Sequence, residues 1–271
     1  MDDTLRRIQK IQLEILIQID RICKKHKIHY SLYAGTMLGA VRHKGFIPWD
    51  DDLDICMLRN DYNKFLKVWK KENTNGYILQ NKDIEPNFTQ SFSKIRKDHT
   101  TFIQAEWEQG KYHTGIFVDI FPIDRIPKKK IQRGLFYWRC LKYQLYMREF
   151  VPPKASLPVK LIAGFLLFIL PKSKRERKRK QLLRKIEKYK CNTNFDCVGI
   201  EAIDTLKVIY PMDMFDEYVQ LDFEGHKFMC VKKWDECLKL MYGNYMQLPP
   251  KNNRIWTHHP IEIDFDKNYG E

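Results

Sequence analysis

The sequence predicts an α+β chain with a helical segment of different chemical character set into its middle. Three observations carry this. Residues 4–26 place Leu5, Ile8, Ile11, Ile15, Ile19 and Ile22 at steps of three or four behind Thr4, which can cap a first helical turn. The stretches Asp52–Met57 and Gly115–Pro122 read instead as strands, one alternating and one almost continuously apolar. Between residues 127 and 190, aromatic and apolar helix-forming runs meet a dense basic cluster.

The 271 residues suffice for one large domain with an insertion, or for two small domains. A hydrophobic content of 44% with 13% aromatics implies a proper core and excludes a disordered chain. The net charge of +14 invites nucleic acid, an anionic membrane surface or a phosphorylated substrate. Its distribution is local, because residues 172–180 hold seven basic residues and one acid, six of the fourteen excess charges. Seven cysteines without a CxxC pair, and a charged N-terminus without an apolar secretory segment, speak for a reduced, cytoplasmic setting. Cys191, Cys197, Cys230, Cys237 and His226 are spaced too loosely for a regular zinc site, so ordinary thiols are the preferred reading.

In chain order, His29–Tyr33 forms a short strand that breaks at Gly35. Met37–Arg42 then gives one or two helical turns whose amides point back at the Gly35-Thr36 turn, a seat for phosphate. His43–Trp49 is a loop leading to the acidic strand. There Asp52 and Asp54 project to one side, and Leu53, Ile55 and Met57 to the other. Carboxylates on a strand built for burial need compensation, and a divalent cation supplies it most directly. We therefore read a metal site for phosphate chemistry, against the plainer alternative of an acidic surface loop after Pro48.

Asp61–Trp69 follows as a helix with Tyr62, Phe65, Leu66 and Trp69 on one side. Tyr77–Leu79, Ser91–Ile95 and Thr101–Ile103 are short strands. Phe92, Lys94 and Arg96 share a face, which makes Lys94 and Arg96 either a phosphate clamp or part of a solvated edge. Asp119 interrupts the apolar strand 115–122 and needs a partner: the metal held by Asp52 and Asp54, or a nearby Lys or Arg.

From Pro127 the character changes. Ile131–Phe150 is a helix rich in aromatics, and Leu157–Leu170 is an apolar helix ended by Pro171. The second is too short for a membrane span of about 20 apolar residues. Followed at once by the basic cluster, it suits a helix lying in a membrane interface with its cations on anionic headgroups; the alternative is a buried helix beside a solvated basic one. Beyond Cys191, Tyr218–Glu224 and Lys227–Val231 form a hairpin turning at Gly225, and Trp234–Tyr242 a helix. In the irregular tail, Arg254, His258 and His259 are either surface residues or groups reaching back to the site.

Lined up, Gly35-Thr36, Asp52-Leu-Asp54-Ile55 and the strand bearing Asp119 resemble the nucleotidyltransferase superfamily of DNA polymerase β. More narrowly they resemble the LicD family of phosphotransferases, which includes the domain of fukutin and fukutin-related protein. The likeness runs through Gly35–Asp54, His113–Pro122, Phe223-Glu-Gly225 and Tyr242–Pro250 to His258-His259, and skips residues 127–200. It implies a nucleotidyltransferase core with a mixed β-sheet flanked by helices over residues 1–126. A helical, membrane-facing insertion would occupy 127–190, and an α+β part packing back on the core 191–271.

The resemblance also implies transfer of a phospho-alcohol, typically phosphocholine from CDP-choline, to a hydroxyl of a cell-surface glycan or its lipid-linked precursor, releasing CMP. Ribitol, glycerol or ethanolamine phosphate from another CDP-alcohol are alternatives, as is a true nucleotidyltransferase. No nucleic acid partner is expected, and the enzyme would rest peripherally on the inner, anionic face of the membrane. Asp52 and Asp54 match the paired ligands of a magnesium or manganese ion, Asp119 the third carboxylate, and Gly35 and Thr36 the turn beside the phosphates. Thr36 stands where the wider superfamily has Ser or Gly, and keeps the hydroxyl. Arg42, Lys94 and Arg96 are candidates to neutralise phosphate charge, with His113 and Trp49 completing the substrate-binding set. Trp49, Trp107, Tyr112 and Trp256 are candidates to face a quaternary ammonium.

Overall fold

Helix α1 (Asp3–His26) lays its apolar stripe inward, burying Leu5, Ile8, Ile15, Ile19 and Ile22. Each such full burial contributes roughly 1.5–3 kcal/mol. Two polar residues of the same stripe are buried as well: Gln9 Nε2 donates to the carbonyl of Asp50 and Gln12 Nε2 to that of Asp51, both at 2.9 Å. The helix therefore holds the backbone of the acidic run. The computed structural model describes residues 3–72, 75–105, 108, 111–151, 155–187, 195–199 and 208–271.

The chain continues through β1 (Ser31–Leu32), α2 (Ala34–Arg42), β2 (Asp54–Leu58), α3 (Arg59–Trp69), β3 (Tyr77–Gln80), β4 (Ser93–Lys97), β5 (Thr101–Ile103) and β6 (Phe117–Pro127). Helices α4 (Lys130–Arg148), α5 (Leu157–Ile169) and α6 (Lys172–Glu187) come next. Then follow β7 (Phe195–Gly199), the hairpin β8 (Tyr218–Phe223) and β9 (His226–Val231), α7 (Trp234–Tyr242) and β10 (Glu262–Asp264). Gly225 takes the left-handed conformation that its hairpin turn requires, at φ 77°.

The main sheet runs β1-β2-β6-β4-β3, with β7 paired to the second half of β6. Only β2 and β6 are parallel; the other neighbours are antiparallel, so the sheet is mixed. Its register puts Asp54 opposite Asp119, and Asp119 opposite Lys94. Because β4 lies between β6 and β3, Lys94 and Arg96 are interior groups rather than a solvated edge. The acidic strand begins at Asp54, so Asp52 stands just ahead of it instead of within it. Close approach at α2 depends on Gly39, where a Cβ would come 2.5 Å from the carbonyl oxygen of Gly45.

The principal core gathers α1, β1, α2, β2, α3, β6 and the β8–β9–α7 unit. A second cluster, with Ile126, Phe136, Tyr143, Tyr146, Leu182 and Ile186, joins α4 and α6 to the far end of β6. Helix α5 is not a core helix: Ala163 is buried, while Leu157, Leu161, Phe165 and Phe168 are 62–86% exposed. No helix among the described residues is long and apolar enough to cross a membrane. Cys230 and Cys237 sit in the core, where burial pushes both thiols up to about 12. Cys191 and the side chain of Cys197 lie outside the described residues.

Candidate active site

Asp54, Asp119 and Lys94 form one row across three adjacent strands. The backbone around them is tied down: Asp54 N donates to Thr36 Oγ1 at 2.8 Å, Tyr33 N to the carbonyl of Asp54 at 3.0 Å, and Asp119 N to that of Leu53 at 2.9 Å. Lys94 Nζ donates to Asp119 Oδ1 at 2.5 Å and lies 3.4 Å from the centroid of the Phe117 ring. The buried charge of Asp119 is thus met by an ion pair with Lys94, one of the two partners its sequence called for.

The preceding residues bring further acid. Carboxylate oxygens of Asp50, Asp51 and Asp52 lie within 4.8 Å of one another. Asp51 is fully buried and serves as an anchor, accepting from Thr257 Oγ1 at 2.8 Å and from the His258 amide and Nδ1 at 3.1 Å each. His258 Nε2 stands 3.9 Å from Asp52 Oδ2, so the tail does reach back to the site. Asp50 Oδ2 occupies space 2.7 Å from where a Cβ on Gly35 would lie, so the glycine lets this acid sit against the first turn of α2.

Electrostatics follow from this crowding. Burial, then the charges of Asp52, Asp119 and Asp50, lifts the Asp54 carboxyl well above the ordinary range. Burial and then Asp52 raise Asp50 to about 9. Asp52 is also raised, by burial against the pull of His258. Burial opposes ionisation of Asp51, but the bonds from His258 and Thr257 outweigh it and hold that carboxyl low. Burial lowers Lys94 by more than Asp119 restores. Five acids, Asp50, Asp51, Asp52, Asp54 and Asp119, thus crowd together with Lys94 and His258 in a set of hard oxygen donors. That donor set is of the kind magnesium or manganese takes, and Asp52, Asp54 and Asp119 could hold such an ion with Asp50 within the same field.

Other predicted residues lie at varied distances from this row. Gly35 and Thr36 open α2 directly beside it. Arg42 Nη1 donates to the carbonyl of Tyr245 at 2.9 Å. Burial, then the charge of Arg254, lowers the Arg42 guanidinium. The Arg254 guanidinium in turn lies 5.3 Å from the centroid of the Trp49 ring. Arg96 is spent on structure, donating to Gln80 Oε1 and the Gly115 carbonyl. His113 turns to Asp98, with Nε2 3.3 Å from Oδ1, and is not brought to the carboxylates. Tyr112 bonds Glu108 and stands edge-on to Phe88; Trp256 packs with Ile8, Phe102, Ile116 and Phe117; Trp107 lies outside the described residues.

Sequence reasoning passed over several groups. Asp50 and Asp51 were visible in the acidic run itself. Burial, then the charges of Asp54, Asp50 and Asp52, raises the hydroxyl of Tyr242, the first residue of the run Tyr242–Pro250. An aromatic wall also stands two residues along from Lys94 and Asp119 on their own face. Phe92 and Phe121 are half-buried with ring centroids 4.5 Å apart, and Phe121 lies 5.6 Å from Tyr33. The alternation in both strands was its only signal.

Residues 27–161 match the family described as LicD/FKTN/FKRP, nucleotidyltransferase domain. The chain is 32% identical over 265 residues to the lipopolysaccharide cholinephosphotransferase LicD of Haemophilus influenzae, an alignment covering 93% of this chain and 94% of that one. An uncharacterised protein of Rickettsia prowazekii is 26% identical over 115 residues, 42% of this chain and 40% of its own. One from Rickettsia typhi is 35% identical over 71 residues, 26% of this chain and 23% of its own.

Proposed function

The chain belongs to the LicD family, and from that premise we propose that it transfers phosphocholine from CDP-choline to a hydroxyl of a cell-surface glycan or its lipid-linked precursor. The observation that carries this reading is the row Asp54–Asp119–Lys94 with Asp52 beside it. We take residues 1–126 as a nucleotidyltransferase-like core, 127–190 as a helical insertion and 191–271 as a part that closes back on the core.

Asp52, Asp54 and Asp119 would hold a magnesium or manganese ion, which when bound would supply charge screening and Lewis-acid polarisation of the diphosphate. The protein's own groups do the rest. Gly35 and Thr36 seat phosphate oxygens at the first turn of α2, and Lys94 and Arg42 offset charge that grows on the leaving phosphate. The acceptor hydroxyl forms a bond to the choline-side phosphorus while the bond to the CMP oxygen breaks. CMP leaves with that electron pair, and Asp119 orients the hydroxyl and draws off its proton. A panel of CDP-alcohols with Mg²⁺, read by CMP release, tests the assignment. CDP-choline should be turned over best; preference for the ribitol, glycerol or ethanolamine compound reassigns the alcohol, and pyrophosphate release from nucleoside triphosphates makes it a nucleotidyltransferase.

For the quaternary ammonium we choose the wall of Phe92, Phe121 and Tyr33 over the tryptophans, because it flanks the carboxylates on their own face. Phe121→Ala should raise KM for CDP-choline about tenfold while leaving inhibition by CMP unchanged. An equal loss for both would move the ammonium elsewhere.

We also read α5 as the part that rests on a membrane. Its exposed leucines and phenylalanines adjoin the basic start of α6, which suits an anionic lipid surface. The full chain should co-sediment with phosphatidylglycerol vesicles, and Phe165→Ser with Phe168→Ser should leave it in the supernatant. Unchanged sedimentation of that variant removes the reading.

A further inference from the structure

A groove of about 650 Å³ lies between the loop of residues 82–89, the end of α4 and the beginning of α6. That volume falls within the range of small-molecule sites, roughly 300–1,000 Å³. None of Asp52, Asp54 and Asp119 lines it. Its walls carry six cations, Lys82, Lys111, Arg148, Lys172, Arg175 and Arg179, against three carboxylates, an excess of three positive charges.

The carboxylates are already shared out. Asp83 Oδ1 accepts from Arg179 Nη2 at 2.6 Å and stands 3.9 Å from Lys180. Glu149 is divided between Lys82 at 3.3 Å and Lys172 at 3.8 Å. Glu176 is held by Lys180 at 2.7 Å. Arg175 has no carboxylate partner in these pairings; it donates to the carbonyls of Leu167 and Leu170 at 2.7 and 2.9 Å, closing the end of α5. Arg179 is only 3% exposed, and its buried Nε finds no acceptor among the described residues. A guanidinium taken this far out of water with a donor unused is costly unless something else accepts from it. Burial lowers the Lys82 ammonium by more than its pairing with Glu149 restores, and Arg179 and Lys172 add a smaller repulsion.

We propose that this groove is a second binding site, for a phosphate or diphosphate group. Such a group brings two or more negative charges and several acceptor oxygens, which the clustered Lys and Arg donors match. Its polarity is opposite to that of the carboxylate centre, which calls for a cation. Because Arg175 and Lys172 follow directly on the exposed apolar helix α5, the phosphoryl group could come from a lipid headgroup or from a soluble phosphorylated sugar. The site stands independently of the transfer reading and would hold its anion whether or not the carboxylates catalyse.

The test is isothermal titration of the full chain with inorganic pyrophosphate, with EDTA present so that no metal–diphosphate complex enters the other site. The wild-type chain should bind, and Lys82→Gln with Arg148→Gln should weaken binding by about tenfold or more. Lys172→Glu, at an exposed position, should act in the same direction and serves if the double variant misfolds. Undetectable binding by the wild-type chain, or equal affinity in the folded variants, overturns the proposal. Sedimentation separates the sources. Loss of phosphatidylglycerol vesicle binding in the same variants assigns the headgroup, whereas loss of pyrophosphate binding alone assigns a soluble ligand.

Discussion

Replacing Asp54 with Asn should abolish nearly all CMP release from CDP-choline while leaving the protein folded. The amide has the shape of the carboxylate, and the backbone bond from Asp54 N to Thr36 Oγ1 does not depend on the side chain. What disappears is one anionic oxygen donor in the row with Asp119 and Lys94. Metal stabilisation of a phosphoryl transfer is worth several kcal/mol, so a loss of about a thousandfold in kcat is expected. Folding should not suffer, because burial and three neighbouring carboxylates already oppose a charge at this position. Mg²⁺ should therefore raise the melting temperature of the wild-type chain and do so much less for the variant. Asp52→Asn should follow the same pattern. Wild-type turnover by either variant would remove the metal assignment, and an equal Mg²⁺ shift in both proteins would remove the ligand role even if activity fell.

Much of this arrangement was legible because it is local. The period of residues 4–26 locates α1 to within a residue at its start, and Trp234–Tyr242 is matched at both ends. Asp54 and Asp119 stand out as charges in apolar strands wherever those strands go. Pairing is another matter. That Asp119 faces Asp54 on one side and Lys94 on the other depends on the register of three strands from distant parts of the chain, which no local period encodes. The same holds for His258, whose bond to Asp51 spans 207 positions, and for the contact between Phe92 and Phe121. Arg96 shows the opposite error of local reading. Its alternation with Lys94 suggested a shared task, yet the carbonyl of Gly115 and the amide of Gln80 lie within reach and take it into the framework.

The largest effect on stability should come from a pair that sequence reasoning left unremarked. Arg59, the first residue of α3, donates Nε to Asp124 Oδ1 at 2.9 Å and Nη2 to Oδ2, a bidentate contact to a residue of β6 that is 1% exposed. Burial alone would lower the guanidinium, but the Asp124 charge outweighs it and raises Arg59 above its ordinary value. The pair sits where β6 passes from the principal core toward Ile126 and the α4–α6 cluster, so it ties α3 to the strand both cores share. Arg59→Met keeps the aliphatic stem and removes the charge, leaving a buried carboxylate without either of these bonds. Breaking a buried pair from one side costs about 3–5 kcal/mol, which a urea titration followed by circular dichroism would register as a clear fall in midpoint. Removing both charges together, Arg59→Met with Asp124→Leu, should recover most of that loss, since an apolar pair of similar volume carries no desolvation cost. A single variant within about 1 kcal/mol of wild type would show the contact to be weak. A double variant no better than the single one would show that shape, and not charge, holds this joint together.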